Sequence, residues 1–194
     1  KTWMEGQLKE LGLQYRFIPA VRTKPGGVGI ALSHLKVLKQ DHLKPPFAIL
    51  EDDCKMFFDR WENRLNLPDE TDGIYLGQSV FGVGKEDQYG IRWGEQGQAK
   101  YEIYDEAYLR IKSMLARHAI IYVSEKFRQS AIRANYRALL HYPFHYPGDM
   151  AYAEIQEEHL LLAPNQPWCY QCEIFGGNWL VTKYSLLTSK YLAR

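Results

Sequence analysis

Three consecutive carboxylates, Glu51-Asp52-Asp53, directly follow the apolar run Phe47-Ala48-Ile49-Leu50. Four apolar residues in a row, preceded by two prolines, are typical of a short strand buried on both faces. Adjacent negative charges repel one another, so the cluster costs stability unless a cation lies close to it. Hard divalent ions such as Mn²⁺ or Mg²⁺ prefer carboxylate and phosphate oxygens. The pattern therefore indicates a metal site at the end of a strand, with a solvated acidic turn as the alternative.

The spacing of the carboxylates assigns them different roles. Glu51 and Asp53 are at alternate positions, and alternate side chains of an extended chain face the same side. We therefore predict that Glu51 and Asp53 bind the metal, while Asp52 either points away from it or reaches the ribose of a nucleotide or a water. Transfer of a sugar from a nucleotide diphosphate requires neutralisation of the leaving diphosphate, which a divalent cation held by carboxylates provides.

A second candidate segment lies upstream of this strand. Ser33 and His34 are in a predicted helix that follows the glycines Gly26 and Gly27. The N-terminus of a helix attracts phosphate, so we predict that Ser33 and His34 belong to the nucleotide-binding site. The alternative for His34 is a packed helical side chain without a functional role.

Predicted strands alternate with predicted helices along the chain. We predict helices at about 3–11, 28–40, 58–65, 124–140 and 150–158, and strands at 15–21, 47–50, 73–77, 119–123 and 160–164. Ser124 is the predicted N-cap of the fourth helix. Such alternation is typical of a mostly parallel sheet with helices on its faces. We therefore predict one α/β domain over 1–194, with an irregular tail from about 165. The glycine-rich segment at about 78–105 is predicted to be an active-site flap or a small hairpin insertion, with a plain flexible loop as the alternative.

Composition limits the classes of partner. The formal net charge of +1 gives no electrostatic case for binding nucleic acid. No apolar run approaches the roughly 18 residues of a membrane-spanning helix, and no signal peptide is visible. We expect a cytoplasmic protein, with contact to the inner face of a membrane left open and no prediction of oligomeric state. Because the chain opens inside a helix-like pattern without an initiator Met, we also expect an upstream segment.

The cysteines and two basic residues are predicted to have no functional role. Three cysteines form no disulfide framework, which suggests a reducing compartment. Cys169 and Cys172 have the CxxC spacing, but zinc would need two further ligands, and only His159 is a nearby candidate. We therefore predict inert thiols near the surface. Arg117 and His118, which precede a predicted strand, are predicted surface charges, with contact to phosphate as the alternative.

The order of the motifs resembles glycosyltransferase family 25, which includes lipooligosaccharide galactosyltransferases of bacteria and collagen galactosyltransferases. That family pairs a glycine-containing segment ending in Ser-His with a buried strand ending in Glu-Asp-Asp. Here these motifs occupy residues 27–34 and 47–53. Further similarity extends, in chain order, over 7–21, 119–124 and 146–149.

The resemblance implies a GT-A fold, a UDP-sugar donor that is often UDP-galactose, a divalent metal and inversion at the anomeric carbon. It also implies a preceding nucleotide-binding strand, which is absent from this sequence. One-step inversion requires a base for the acceptor hydroxyl, and Asp149 is predicted as that base or as an acceptor contact, with an ordinary helix N-cap as the alternative.

The function predicted from the sequence is thus a metal-dependent glycosyltransferase with a saccharide or glycoconjugate acceptor, as in lipopolysaccharide biosynthesis. Two alternatives stay open at this point. One is a nucleotide- or carbohydrate-binding domain of the same fold without turnover. The other is a metal-dependent nucleotidyltransferase or phosphohydrolase, which would also use clustered carboxylates.

Overall fold

A six-stranded sheet forms the centre of the protein, whose computed structural model describes residues 2–61, 65–83, 97–141 and 148–172. With strands numbered along the chain, the order across this sheet is β1 (Phe47–Leu50), β8 (Ala119–Tyr122), β3 (Gly73–Tyr75), β9 (Leu161–Pro164), β7 (Tyr108–Ser113) and β6 (Lys100–Ile103). Two small antiparallel ladders accompany it, one of β2 (Cys54–Met56) with β10 (Cys169–Gln171) and one of β4 (Phe81–Gly82) with β5 (Gly97–Gln98).

Helices flank the sheet. They are α1 (Thr2–Glu10), α2 (Gly26–Leu38), α3 (Glu125–His141) and α4 (Gly148–Ile155), with single 3₁₀ turns at Phe58–Arg60 and Gln156–Glu158. Within the described ranges, no helix combines the length and the apolar character needed to cross a bilayer.

The prediction of a mostly parallel sheet is wrong. In the described sheet only β3 and β9 are parallel neighbours, and β8 lies between β1 and β3 antiparallel to both. A short apolar strand buried on both faces has the same residue pattern in either orientation, so the pattern does not identify its neighbours. In addition, β6, β7 and β8 follow one another without an intervening helix. The protein is an α/β protein with a mixed, mostly antiparallel sheet.

Two other predicted elements are also corrected. Residues 15–21 form no strand, because this extended segment is attached to α2 instead of a sheet edge. The backbone N–H of Val21 donates to Ser33 Oγ (2.8 Å), and Lys36 Nζ donates to the carbonyl of Pro19 (3.1 Å). The helix predicted at 58–65 is reduced to the 3₁₀ turn Phe58–Arg60.

Parts of other predictions lie outside the described residues. These are positions 62–64 of that helix, 84–96 of the predicted insertion, the loop at 142–147 and the tail from 173 onward.

Consecutive residues of β8 pack on opposite faces of the sheet, as the two-residue period of a strand requires. Ile120 and Tyr122 join a cluster with buried residues of α2, α3 and α4. Ala119 and Ile121 pack instead with α1, β2 and Trp168. The sheet is therefore covered by three helices on one face and by α1 with the β2–β10 ladder on the other.

Asp72, the residue before β3, joins several elements at one end of the sheet. Its carboxylate accepts hydrogen bonds from Ser124 Oγ (2.5 Å) and from the backbone N–H of Leu160 (3.1 Å), and it lies 3.2 Å from His159 Nδ1. Ser124 Oγ also accepts from the backbone N–H of Phe127 (3.1 Å), which confirms its role as the N-cap of α3.

We expect Asp72→Asn to lower the free energy of unfolding at neutral pH by about 1–2 kcal/mol, since charge-assisted hydrogen bonds are lost. Burial would raise the pKa of Asp72, but its hydrogen bonds outweigh burial and lower that pKa. The stabilisation is therefore present above the ordinary pKa of 3.8 and is lost as the pH falls below it. Urea unfolding across the acid range should show a flatter acid limb for the variant than for the wild type. The exposed neighbour Asp69→Asn is the control, and identical acid limbs for Asp72→Asn and wild type would contradict the prediction.

Candidate functional site

The acidic triplet is the turn between β1 and β2. The backbone N–H of Cys54 donates to the carbonyl of Glu51 (3.2 Å), which closes the turn. The backbone N–H of Glu51 donates to the carbonyl of His118 (2.7 Å), so the pairing of β1 with β8 continues beyond Leu50. The triplet consequently lies at the carboxyl end of β1, next to the residues that precede β8.

Glu51 is paired with His34 of α2. His34 Nε2 lies 3.1 Å from Glu51 Oε1, and the His34 residue is only 4% exposed. Burial lowers the pKa of His34 despite this contact, so at neutral pH the uncharged ring donates its Nε2–H to the carboxylate. Burial would raise the pKa of Glu51, but the hydrogen bond from His34 and the nearby charges, Arg117 among them, hold it at about 2. Glu51 is therefore an ionised carboxylate in a largely buried site.

Arg117 is a buried side chain, and the prediction of a surface charge is wrong. Its Nε donates to Asp149 Oδ1 (2.9 Å) and its Nη1 donates to Asn135 Oδ1 (3.1 Å), while 4% of the side chain is exposed. Asn135 in turn donates to the hydroxyl of Tyr152 (3.0 Å). A side chain at Gly148 would overlap the guanidinium, so the glycine permits this close approach to the start of α4.

Asp149 lies in the first turn of α4, and its carboxylate forms an ion pair with Arg117. Of its side chain, 40% is accessible to solvent. Burial by the surrounding protein raises the pKa of Asp149, and the charge of Glu51 adds to this effect, whereas Arg117 opposes it. An accessible carboxylate with a raised pKa is suited to accepting a proton.

Asp53 is the second carboxylate of the triplet that is partly buried. Its Oδ2 accepts a hydrogen bond from Gln171 Nε2 (2.9 Å), whereas its Oδ1 is buried without a hydrogen-bond partner among the described residues. Burial and the charge of Glu51 raise the pKa of Asp53. An unpartnered buried carboxylate oxygen beside a second carboxylate fits a hard cation such as Mn²⁺ or Mg²⁺.

Two predicted site residues stand apart from this cluster. Asp52 is exposed at the tip of the turn. Ser33 Oγ accepts from the backbone N–H of Val21 and donates to the carbonyl of Gly29 (2.7 Å). A side chain at Gly29 would overlap the carbonyl of Val21. Gly29 and Ser33 thus attach the 13–25 segment to α2. His34, Glu51 and Asp149 lie within electrostatic reach of one another, and Asp53 lies within reach of Glu51.

A second group of side chains, Cys54, His118 and Cys169, was missed by the sequence analysis. Their ligand atoms all lie within 4.8 Å of one another, and all three residues are buried. Burial would raise the pKa of the Cys169 thiol, but hydrogen bonding with Cys54 and His118 holds it at about 6. The expectation of surface thiols is wrong, because every cysteine of the chain is buried. Cys172 is outside this group and His159 contacts Asp72, so the CxxC spacing did not identify the correct pair.

Comparison of the chain with models of known protein families, with curated proteins and with solved structures found no match.

Proposed function

We propose that the protein is a metal-dependent, inverting glycosyltransferase of the GT-A type that transfers a sugar from a UDP-sugar to a saccharide hydroxyl. The supporting observation is the convergence of His34, Glu51 and Asp149, which come from three distant parts of the sequence. The pKa of each is perturbed by the others or by Arg117, and such coupled perturbation is typical of functional sites. The same three residues belong to the motifs that resemble glycosyltransferase family 25, where galactose is a common donor sugar.

In this proposal, Glu51 and Asp53 hold the divalent ion, and Asp52 contacts the ribose or a water. Bound there, Mn²⁺ or Mg²⁺ supplies positive charge to the leaving diphosphate. His34 keeps the Glu51 carboxylate oriented through the 3.1 Å contact, which is the function of an outer-shell partner of a metal ligand.

Asp149 acts as the base. The acceptor oxygen forms a bond to the anomeric carbon, its proton passes to the Asp149 carboxylate, and the bond to the diphosphate breaks with the electron pair leaving on UDP. Arg117 holds Oδ1 of Asp149 and so orients the carboxylate for this transfer.

The test is release of UDP from UDP-galactose, UDP-glucose and UDP-N-acetyl sugars, each with and without Mn²⁺ and an acceptor saccharide. We expect metal-dependent release from one donor, and we expect Asp53→Asn to abolish it while the exposed-site control Asp59→Asn retains it. Absence of metal-dependent UDP from every donor, together with unchanged metal binding by Asp53→Asn, would contradict the proposal. Production of UMP and phosphate instead of UDP would favour a phosphohydrolase, and donor binding without turnover would favour a binding domain.

A further inference from the structure

We propose that Cys54, His118 and Cys169 form a Zn²⁺ site that connects the β2–β10 ladder to the central sheet. This site is separate from the carboxylate site of the proposed transferase and does not depend on that function.

The two cysteines are brought together by the pairing of β2 with β10. In this antiparallel ladder Cys54 is opposite Gln171 and Cys169 is opposite Met56, so the cysteines are diagonal neighbours on one face. His118 reaches them because β8 pairs with β1, and Cys54 Sγ lies 2.8 Å from the carbonyl oxygen of His118. Three separate segments of the chain therefore converge on one buried position.

The donor atoms select the metal. Two thiolates and an imidazole are ligands of zinc, whereas Mn²⁺ and Mg²⁺ prefer oxygen. Ligands about 2.0–2.3 Å from a tetrahedral zinc ion lie about 3.5 Å from one another. Since the three donor atoms already lie within 4.8 Å of one another, small side-chain movements suffice to reach that geometry. A water completes the tetrahedron.

The imidazole of His118 is held beside the two thiols. A side chain at Gly77 would overlap the ring at Nε2, so the backbone fixes the ring and leaves Nδ1 as the nitrogen available to an ion. His118 also hydrogen-bonds with Cys169, which places the imidazole next to one of the two sulfurs. The carboxylates of Glu51 and Asp53 act on His118 electrostatically and favour positive charge at this position.

Zinc binding releases two protons. The protons shared by the two thiols and His118 leave to solvent as two zinc–sulfur bonds and one zinc–nitrogen bond form, and no oxidant or reductant is required. The bound ion then crosslinks β2, β10 and the start of β8, which stabilises the face of the sheet that α1 also covers.

The test is metal analysis of the protein purified without chelator, followed by titration of the chelator-treated protein with Co²⁺. We expect one zinc per chain, and we expect Co²⁺ to produce the thiolate-to-cobalt charge-transfer band and the intense visible bands of a tetrahedral complex. Release of about two protons per ion should accompany binding. Failure to bind zinc or Co²⁺ at one per chain, or a Cys54–Cys169 disulfide in the purified protein, would overturn the proposal.

Variants test the ligand assignment. Cys169→Ser and His118→Asn should weaken Co²⁺ binding by more than the roughly 10–100-fold lost with an outer-shell partner. The matched control is Cys172→Ser, a buried cysteine outside the group, and it should bind as the wild type does. If Cys172→Ser and Cys169→Ser lowered the affinity for Co²⁺ equally, the assignment of Cys169 as a ligand would be contradicted.

A measurement on the wild type avoids the possibility that a variant does not fold. Chelator should increase the alkylation rates of Cys54 and Cys169 and leave that of Cys172 unchanged. Unchanged alkylation of all three thiols would overturn the proposal. None of these measurements uses transferase activity, so failure of the zinc site and failure of the proposed function are distinguishable.

Discussion

Asp149→Asn is expected to retain binding of the UDP-sugar and to lose about 100- to 10,000-fold in the rate of sugar transfer, the range typical of a lost general base. The amide can still accept the hydrogen bond from Arg117 Nε, so the geometry of the start of α4 is preserved. It cannot accept the proton of the acceptor hydroxyl. The effect should therefore appear in kcat, while the dissociation constant of the donor stays within a small factor.

The control for this variant is on the same helix. Glu154 of α4 pairs with Arg137 (2.7 Å) away from the carboxylate cluster, and Glu154→Gln should change kcat little. Because the pKa of Asp149 is raised, wild-type kcat should fall as the pH drops through that pKa, and the residual activity of Asp149→Asn should lack this limb. Full transfer activity in Asp149→Asn would exclude the assignment of the base. Joint loss of donor binding and thermal stability would indicate a structural role instead.

Local patterns in the sequence predicted the elements that form the site. The apolar run of β1 followed by acidic residues placed Glu51 and Asp53 at a strand end, and Ser124 marked the start of α3. These predictions succeed because strand length and helix capping depend on neighbouring residues. The resemblance to family 25 supported the choice of His34 and Asp149, for which the alternatives from the residues alone were a packed helical side chain and a helix N-cap.

Features that depend on long-range pairing could not be predicted from one sequence. The sequence of β8 does not reveal that this strand lies between β1 and β3. Parallel and antiparallel pairing of β8 would bury the same apolar side chains, so the residue pattern is the same in both cases. The same pairing brings Arg117 and His118 into the core and places His118 beside Cys54. A basic dipeptide before a strand looks like an ordinary surface feature until its neighbours are known. The CxxC spacing was misleading for the same reason, since the partner of Cys169 comes from β2.

The links between the carboxylate site and the core suggest how the protein tolerates several buried charges. Glu51 is compensated by His34 and Arg117, and Arg117 is compensated by Asp149 and Asn135. Since each charge has a partner of opposite sign or a hydrogen-bond donor or acceptor, the cost of burial is reduced. Because Arg117 interacts with Glu51, Asp149 and Asn135, we expect a substitution at Arg117 to destabilise the protein more than one at any other member of this group.

Arg117→Met is expected to lower the free energy of unfolding by about 2–4 kcal/mol. Removing one partner of a buried ion pair typically costs about 3–5 kcal/mol, and the partial exposure of Asp149 reduces that figure. Methionine replaces much of the aliphatic volume, so the loss reports on the guanidinium and its bonds to Asp149 and Asn135. Urea unfolding of the metal-free protein is the measurement.

Arg137→Met is the matched control for this prediction. Arg137 pairs with Glu154 at 2.7 Å, but its side chain is 49% exposed, so its loss should cost less than about 1 kcal/mol. Combining Arg117→Met with Asp149→Asn should lower the free energy of unfolding by less than the sum of the single changes. The reason is that the neutral amide at position 149 leaves no unpaired negative charge when the guanidinium is removed. Additive losses, or equal losses in Arg117→Met and Arg137→Met, would show that the Arg117–Asp149 pair contributes no more than a surface ion pair.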